Sequence, residues 1–260
     1  MPDFVHDGHR LFYREQGTGP LLLILPGNTA SSALHGGELN HFGARYHAVA
    51  LDFWGTGRSD RIEAWPDNWW EQGAHDAAAL IEHLGYGRSL VMGTSGGAIV
   101  ALLLAILYPE RVLGVIADSV VERLPAPTLS REVEKRAERT PEQVAFWRKA
   151  HGDDWAQVVE ADSDYLLRFE KAGGDCFHGR LKEIGCPVLL SASLEDESLP
   201  QVELQLRGME EQIGASRVYL APTGGHPLMW NRPEEFRREA DHFLENLKTG
   251  AGAPRGKPSR

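Results

Sequence analysis

Short apolar runs recur along the chain and are separated by turn residues. Such runs predict buried strands, and an uninterrupted apolar run such as residues 21–25 is typical of a parallel sheet that is covered on both faces. The predicted strands span residues 21–25, 46–51, 90–92, 111–117, 186–191 and 217–220. A short hairpin is predicted over residues 4–16, with its turn at Asp7 and Gly8.

Longer segments carry apolar residues at helical spacing. Helices are predicted over residues 69–84, 98–107 and 233–247. In the first of these segments, Ala77, Leu80, Ile81 and Leu84 fall on one face. Because strands alternate with helices, we expect an α/β fold with a mainly parallel central sheet and helices on both faces.

The alternation stops between residues 121 and 182. This segment is charged, contains no strand candidate, and carries predicted helices over residues 131–139, 141–150 and 153–169. We therefore expect a helical cap over 121–182 inserted into an α/β core formed by 1–120 and 183–248. Residues 249–260 are basic and rich in Gly and Pro, which predicts a disordered tail.

Composition narrows the class of protein. The chain has 260 residues, of which 42% are hydrophobic, and this favours a large globular domain over disorder. Its net charge of −10 argues against nucleic acid, whose binding needs a cationic face. Cys176 and Cys186 lack metal-ligand spacing, so reduced thiols in a cytoplasmic protein are expected rather than a disulfide.

The terminus and the longest apolar run favour the same location. Residues 1–7 show neither a basic n-region nor an apolar h-region, so no secretory signal is expected. The longest apolar run, over residues 98–107, is too short to cross a bilayer. We expect a cytoplasmic protein that acts on a small molecule and has neither nucleic acid nor membrane as a partner.

Residues 93–97 read Gly-Thr-Ser-Gly-Gly and match the G-x-S-x-G nucleophile elbow. A serine hydroxyl is a weak nucleophile and must be exposed beside a base and backbone N–H donors. Glycines at 93, 96 and 97 remove Cβ atoms that would crowd such a turn. An ordinary glycine turn is the plain alternative, but the predicted strand before it and helix after it favour Ser95 as a nucleophile.

A serine nucleophile needs a histidine base and a carboxylate that orients the histidine. In this arrangement the order along the chain is Ser, Asp or Glu, then His. His226 lies between the last strand and the closing helix and is the best base among the eleven histidines. Asp196, about five residues beyond the strand 188–191, fits best as the acid.

Other carboxylates compete with Asp196. Glu195 and Glu197 are close rivals, although a solvated loop charge is the expectation for both. Asp118, directly after the strand that ends at residue 117, is an outside candidate.

The oxyanion hole needs two N–H donors aimed at the developing negative charge. Gly96, directly after the nucleophile, is expected to supply one. The backbone N–H of Asn28, in the loop after the strand 21–25, is expected to supply the other. His35-Gly36-Gly37 resembles an oxyanion motif but lies ten residues beyond that strand, so we interpret it as a decoy.

Two further patterns receive weaker interpretations. Tryptophans at four positions are candidates for the substrate pocket, although each alone fits a core position: Trp54, Trp147, Trp155 and Trp230. Asp162-Ser163-Asp164 lacks the loop of a metal site, and we interpret it as a solvated helix start.

Several stretches together carry a resemblance to a known family. They are Leu-Pro-Gly-Asn at 25–28, Asp-Phe-Trp-Gly-Thr-Gly-Arg-Ser at 52–59, the elbow at 93–97, Tyr-Pro-Glu-Arg-Val at 108–112, Gly-His at 225–226 and Arg-Pro-Glu-Glu-Phe at 232–236. On these stretches the chain resembles the α/β-hydrolase fold superfamily over nearly all of residues 4–247. One scaffold hosts many activities, so the resemblance does not identify a substrate.

Within the superfamily, the short cap and the Leu-Pro-Gly loop are similar to small-cap esterases of the valacyclovir hydrolase group. That group carries an aspartate directly after the nucleophile, which helps to receive an amino group. Gly96 stands at that position here, so the resemblance does not imply amino-ester specificity. A serine nucleophile also argues against haloalkane dehalogenases and epoxide hydrolases, which use aspartate there.

The expected function is hydrolysis of a small carboxylic ester or thioester by Ser95, Asp196 and His226 through an acyl-enzyme, with no metal or organic cofactor. The close alternative is a hydrolase of carbon–carbon bonds in vinylogous diketones, which uses the same triad. An alternative of another class is a catalytically silent binder of small molecules. Retention of all three triad residues argues against the silent binder.

Overall fold

A computed structural model describes residues 2–247 of the chain. This part contains a single eight-stranded sheet with helices packed on it. The strands are β1 (Asp3–His6), β2 (His9–Gln16), β3 (Leu21–Leu25), β4 (His47–Leu51), β5 (Ser89–Thr94), β6 (Val112–Asp118), β7 (Val188–Ser193) and β8 (Ser216–Ala221). The helices are α1 (Gly36–Phe42), α2 (Trp69–His83), α3 (Gly96–Leu107), α4 (Thr128–Ala137), α5 (Pro141–His151), α6 (Trp155–Lys171), α7 (Val202–Gln212), α8 (Leu228–Asn231) and α9 (Pro233–Asn246).

The sheet is mainly parallel, as the alternating pattern predicted. Its strand order is β1-β2-β4-β3-β5-β6-β7-β8. Only the pairs β1–β2 and β2–β4 are antiparallel, and the five remaining pairs run parallel. The carboxyl ends of β3, β5 and β7 therefore meet at one edge of the sheet, where ligands bind in open α/β sheets.

Alternate residues of the central strands belong to different hydrophobic layers. In β3, Leu21, Leu23 and Leu25 pack in the layer that contains residues of α2 and α3. Leu22 and Ile24 point to the opposite face, where α1 and α9 provide Phe42 and Phe236 among other residues. The fully buried strand β3 is covered on both faces.

The predicted helical segment between β6 and β7 contains α4, α5 and α6. Thr140 caps α5 with a capping box to Gln143, and an apolar stripe along α6 faces inward. The one β feature in this segment is an isolated bridge between Arg123 and Asp175. We refer to α4, α5 and α6 together as the cap, while the boundaries 121–182 remain a prediction.

Three helices were not predicted: α1, α7 and α8, of which α8 has only four residues. Helix α1 contains only seven residues and begins with two glycines, and α7 follows a left-handed residue, Gln201. Both α1 and α7 are short amphipathic segments without a side-chain cap, so the sequence carries no start signal. The predicted strands and the long helices agree with the structure to within a few residues at each end.

No helix within residues 2–247 has the length and apolarity needed to cross a membrane. The predicted disordered tail, residues 249–260, lies outside the residues that the structure describes.

Candidate active site

Ser95 lies in the sharp turn between β5 and α3. Its backbone has φ 54° and ψ −124°, a conformation that is costly for a residue with a Cβ atom and is characteristic of functional turns. A Cβ atom at Gly93 would overlap the backbone of Gly97, and one at Gly97 would overlap the Leu25 carbonyl. The turn therefore requires glycine at both positions.

The structure brings Ser95, His226 and Asp196 together from three loops. His226 Nε2 lies 2.9 Å from Ser95 Oγ, and His226 Nδ1 lies 2.8 Å from Asp196 Oδ2. The Asp196 side chain is fully buried, whereas the His226 side chain is 23% exposed. The order nucleophile, base and orienting carboxylate is the geometry that acyl transfer requires.

The two rival glutamates point elsewhere. Glu195 and Glu197 are exposed, and Glu195 Oε2 accepts a hydrogen bond from the Gly224 backbone N–H at 3.2 Å. The second oxygen of Asp196 accepts from the Ser198 N–H at 3.0 Å. The carboxylate of Asp196 is thus fixed from both sides and oriented toward the histidine.

Asp118 is completely buried behind the site rather than bonded to the histidine. It accepts hydrogen bonds from the hydroxyls of Thr94 and Ser191 at 3.1 and 2.7 Å and from the Met229 N–H at 3.0 Å. Desolvation raises its pKa to about 6. Asp118 therefore links the strand before Ser95 to the segment that follows His226.

Two backbone N–H groups without an acceptor among the described residues belong to residues that line the same cavity as Ser95. Neither the Gly96 N–H nor the Asn28 N–H has a hydrogen-bond acceptor among residues 2–247. Gly27 lies so close to Ser95 that a Cβ atom at residue 27 would be 3.2 Å from Ser95 Cβ. Both predicted oxyanion donors therefore lie on segments next to Ser95.

A cavity of about 430 Å³ opens onto Ser95 and His226. Most of its lining is apolar: Ile99, Val120, Val121, Leu124, Leu129, Phe146, Leu166, Leu199 and Trp230 among others. Glu132, Arg136 and Gln143 add polar groups from the cap. The volume suits a small ligand with one apolar part and a polar group at the cap side.

Of the four tryptophans predicted to line the pocket, only Trp230 does so. The prediction was wrong for Trp54, which stacks on His9 with ring centroids 3.6 Å apart. It was also wrong for Trp147 and Trp155, which stack on each other at 5.3 Å in a separate cluster inside the cap. Large apolar surface drives these rings into whichever core is nearest, and spacing alone does not say which.

Trp70 is the tryptophan that the sequence reasoning missed. It lines the cavity, and its Nε1 donates to Asn28 Oδ1 at 3.1 Å. It lies in the first turn of α2, which was predicted as a helix, and no local pattern separates it from a core tryptophan.

The interpretation of Asp162 as a solvated helix start was wrong. Asp162 lies inside α6 and is completely buried. It accepts a hydrogen bond from Asn28 Nδ2 and forms an ion pair with Arg136. Val158 and Leu166 lie four residues before and after it on the buried stripe of the helix, and an acidic residue at such a position was the available signal.

The cap also contacts the Asn28 loop through α5. Ser31 Oγ donates to the Ala150 carbonyl at 2.7 Å. His151 accepts from the Gly57 N–H at 3.0 Å through Nδ1 and donates to the Thr29 carbonyl at 2.9 Å through Nε2. Burial lowers the pKa of His151 to about 4, so this histidine is neutral and acts as a connector.

His35, in the motif interpreted as a decoy, is completely buried at the start of α1 and does not line the cavity. Its ring lies 5.4 Å from that of Trp230. Within residues 2–247, neither ring nitrogen has a hydrogen-bond partner. The motif contributes no donor to the cavity.

The described residues contain no cluster of three or more His, Cys, Asp or Glu side chains that could hold a metal ion. The expectation that no metal or organic cofactor takes part remains a prediction.

Comparisons with known proteins agree with the fold. The family model described as the alpha/beta hydrolase fold matches residues 20–162. The human protein named serine hydrolase BPHL is 28% identical over 251 residues, which cover 92% of this chain and 84% of that protein.

A second relative is the 2-hydroxy-6-oxononadienedioate/2-hydroxy-6-oxononatrienedioate hydrolase of Burkholderia vietnamiensis. It is 26% identical over 272 residues, and the match covers 92% of this chain and 93% of that protein. Among solved structures, a thermophilic esterase from Thermogutta terrifontis has a TM-score of 0.75 at 21% identity and covers 95% of this chain and 97% of its own. At 21% identity, this similarity supports a shared fold and nothing further.

Proposed function

The chain belongs to the α/β hydrolase fold family, and on that basis we propose that it is a serine hydrolase that cleaves a small carboxylic ester or thioester. The observation that carries the proposal is the chain of contacts from Ser95 through His226 to Asp196, at 2.9 and 2.8 Å. The relatives that match the chain over most of its length are hydrolases by name.

Acylation begins at Ser95. Its Oγ attacks the carbonyl carbon while His226 Nε2 takes the hydroxyl proton. Asp196 accepts the Nδ1–H of the histidine, which selects the tautomer with a free Nε2 lone pair and stabilises the imidazolium that forms. The imidazolium then gives its proton to the leaving alcohol or thiol, and the acyl group stays on Ser95.

The negative charge on the carbonyl oxygen develops between the N–H groups of Gly96 and Asn28. Both donors are fixed before the reaction, so they need no reorganisation as the charge forms. A water molecule, deprotonated by His226, hydrolyses the acyl-enzyme in the second half of the cycle. Each half therefore uses the same base and the same two donors.

The cavity favours a small substrate. A volume of about 430 Å³ lies in the lower range of small-molecule pockets. Its apolar wall suits a short acyl or alcohol group, and the cap side chains of Glu132, Arg136 and Gln143 suit a polar substituent on that group. A cytoplasmic location is part of the proposal and is supported by two cysteines that form no disulfide.

The test is turnover of p-nitrophenyl acetate and butyrate by the wild type and by Ser95→Ala. The wild type is expected to release p-nitrophenol with a burst of one equivalent per site when deacylation is slow. Ser95→Ala is expected to retain at most about 10⁻⁴ of the rate. Equal turnover by the two proteins would show that Ser95 is not the nucleophile.

The alternative is a carbon–carbon hydrolase, supported by the relative in Burkholderia vietnamiensis. Incubating the same two proteins with a vinylogous diketone tests this alternative. It predicts that the wild type cleaves the diketone and that Ser95→Ala does not. Absence of both activities in the wild type favours the silent binder.

A further inference from the structure

We propose that Asp162, on helix α6 of the cap, is a positioning residue for the Asn28 oxyanion donor, and that Arg136 of α4 holds it in place. The proposal rests on the proposed serine hydrolase function. It gives the cap a part in the chemical step, in addition to shaping the cavity.

Asp162 is a buried charge with a specific set of partners. Its carboxylate is completely buried in the middle of α6, a placement that costs several kcal/mol unless partners compensate for the lost water. One oxygen accepts from Asn28 Nδ2, and the other pairs with Arg136 Nη1. Desolvation raises the pKa of Asp162, while Arg136 and Asn28 act in the opposite direction.

The Asn28 side chain is held at both ends of its amide. Its Nδ2 donates to Asp162, and its Oδ1 accepts from Trp70 Nε1 at 3.1 Å. Since an amide presents its donors and its acceptor on opposite sides, this pair of contacts fixes one orientation. The same Oδ1 lies where a Cβ atom of residue 96 would be, so the amide also packs against the second oxyanion donor.

The anchored side chain constrains the backbone donor because both are attached to the same Cα. The Asn28 N–H has no acceptor within residues 2–247, and no hydrogen bond of its own sets its direction. The preceding residue, Gly27, packs against Ser95. The direction of this donor therefore depends on the contacts of the side chain, and a misplacement of about 1 Å at a reacting centre costs roughly 10²-fold in rate.

Asp162→Asn is the primary test. An amide at 162 has one acceptor and cannot serve both Asn28 Nδ2 and the Arg136 guanidinium, so one of the two contacts is lost. We expect kcat for p-nitrophenyl butyrate to fall about 10- to 100-fold, with KM within about threefold of the wild-type value. A kcat within threefold of wild type overturns the proposal, whatever happens to the melting temperature.

Asp67→Asn is the matched control. Asp67 pairs with Arg168 at 2.8 Å, so this variant also removes a contact between helix α6 and the core, but one that does not touch the Asn28 loop. We expect its kcat to equal that of wild type. An equal fall of kcat in both variants would mean that general attachment of the cap, rather than Asp162, controls the rate.

A double-mutant cycle with Asn28→Ala separates positioning from simple stabilisation. Asn28→Ala keeps the backbone donor and removes the anchored amide, so it is expected to lower kcat by a factor similar to that of Asp162→Asn. The double variant is expected to be no slower than Asn28→Ala, because both changes remove one linkage. Multiplicative losses in kcat would overturn the proposal.

If Asp162→Asn folds poorly, Asn28→Ala still tests the proposal, because an unchanged kcat in that variant is sufficient by itself to overturn it. Failure of the proposed function looks different. In that case the wild type has no esterase activity, whereas failure of the present inference leaves an active wild type whose kcat does not respond to Asp162.

Discussion

The cavity has two walls that are built by different means. On the core wall, Ser95, Asp196 and His226 follow the strands β5, β7 and β8, and the parallel sheet brings the ends of these strands together. On the cap wall, helices α5 and α6 contact the Asn28 loop through buried polar side chains, among them Asp162 and His151. Backbone topology positions the first set, and side-chain hydrogen bonds position the second.

This difference implies different sensitivities. Positions at strand ends are supported by many ladder hydrogen bonds and by a core buried on both faces, so single substitutions there change the chemistry more than the structure. The cap wall meets the Asn28 loop through a few buried polar contacts, each of which leaves an unsatisfied group when one partner is removed. Substitutions on the cap wall are expected to alter geometry and stability together.

The largest expected effect is on the core wall. Asp196→Asn retains the volume of the side chain but presents the wrong group to His226 Nδ1, so the histidine loses its productive tautomer. We expect kcat to fall about 10⁴-fold with little change in melting temperature, as measured by p-nitrophenyl butyrate turnover and thermal unfolding.

Glu195→Gln is the control, because the side chain of Glu195 is exposed and, among the described residues, accepts a hydrogen bond only from the Gly224 N–H. Its kcat is expected to match wild type. If Glu195→Gln were the impaired variant instead, the triad acid would be Glu195 and not Asp196.

The two walls also differ in how far the sequence predicts them. Most of the strands, the long helices and the proximity of the elbow to His226 follow from apolar runs and from the order of the loops along the chain. Asp196 could be ranked above Glu195 and Glu197 only by its distance from the strand. Burial, which separates the three in the structure, depends on how the loop folds back on the sheet.

The cap was predicted as helices, but its contacts were not. Trp147 and Trp155 were expected in the pocket and pack on each other instead, and Asp162 was expected in solvent and is buried. A tryptophan or an aspartate on a helix has the same local pattern whether it faces the cavity, another helix or water. Only the packing of α4, α5 and α6 on the core distinguishes these surroundings.

The next effect concerns the stability of the cap wall and its dependence on pH. Burial lowers the pKa of His151 from 6.5 to about 4, so between these pH values the unfolded chain binds a proton that the folded chain does not. Stability therefore falls as the pH is lowered from 6.5 toward 4. At pH 5 the loss relative to pH 7 is on the order of 2 kcal/mol.

The measurement is urea unfolding of the wild type and of His151→Gln at pH 7 and pH 5. The variant is expected to be less stable at pH 7, because it loses contacts to Gly57 and Thr29, but to lose about 2 kcal/mol less than wild type between the two pH values. His242→Gln, at an exposed position on α9, is the control and should retain the wild-type difference. If His151→Gln lost as much stability as the wild type between pH 7 and pH 5, the result would contradict the role of His151 as a neutral, buried connector.

The smallest expected effect distinguishes the one tryptophan that lines the cavity from those that do not. Trp230→Ala removes an indole from the apolar wall and enlarges the cavity, so kcat/KM for p-nitrophenyl hexanoate relative to acetate is expected to rise about 5- to 10-fold, at the lower end of the range that one methylene group contributes in an apolar pocket. Both substrates use the same triad, so damage to His226, four residues away, would lower both rates and leave the ratio unchanged. Trp147→Phe, inside the cap cluster, is expected to reduce stability without altering the ratio. If Trp147→Phe shifted the ratio as much as Trp230→Ala, packing inside the cap would control the shape of the cavity, and the two walls would be coupled more tightly than their contacts indicate.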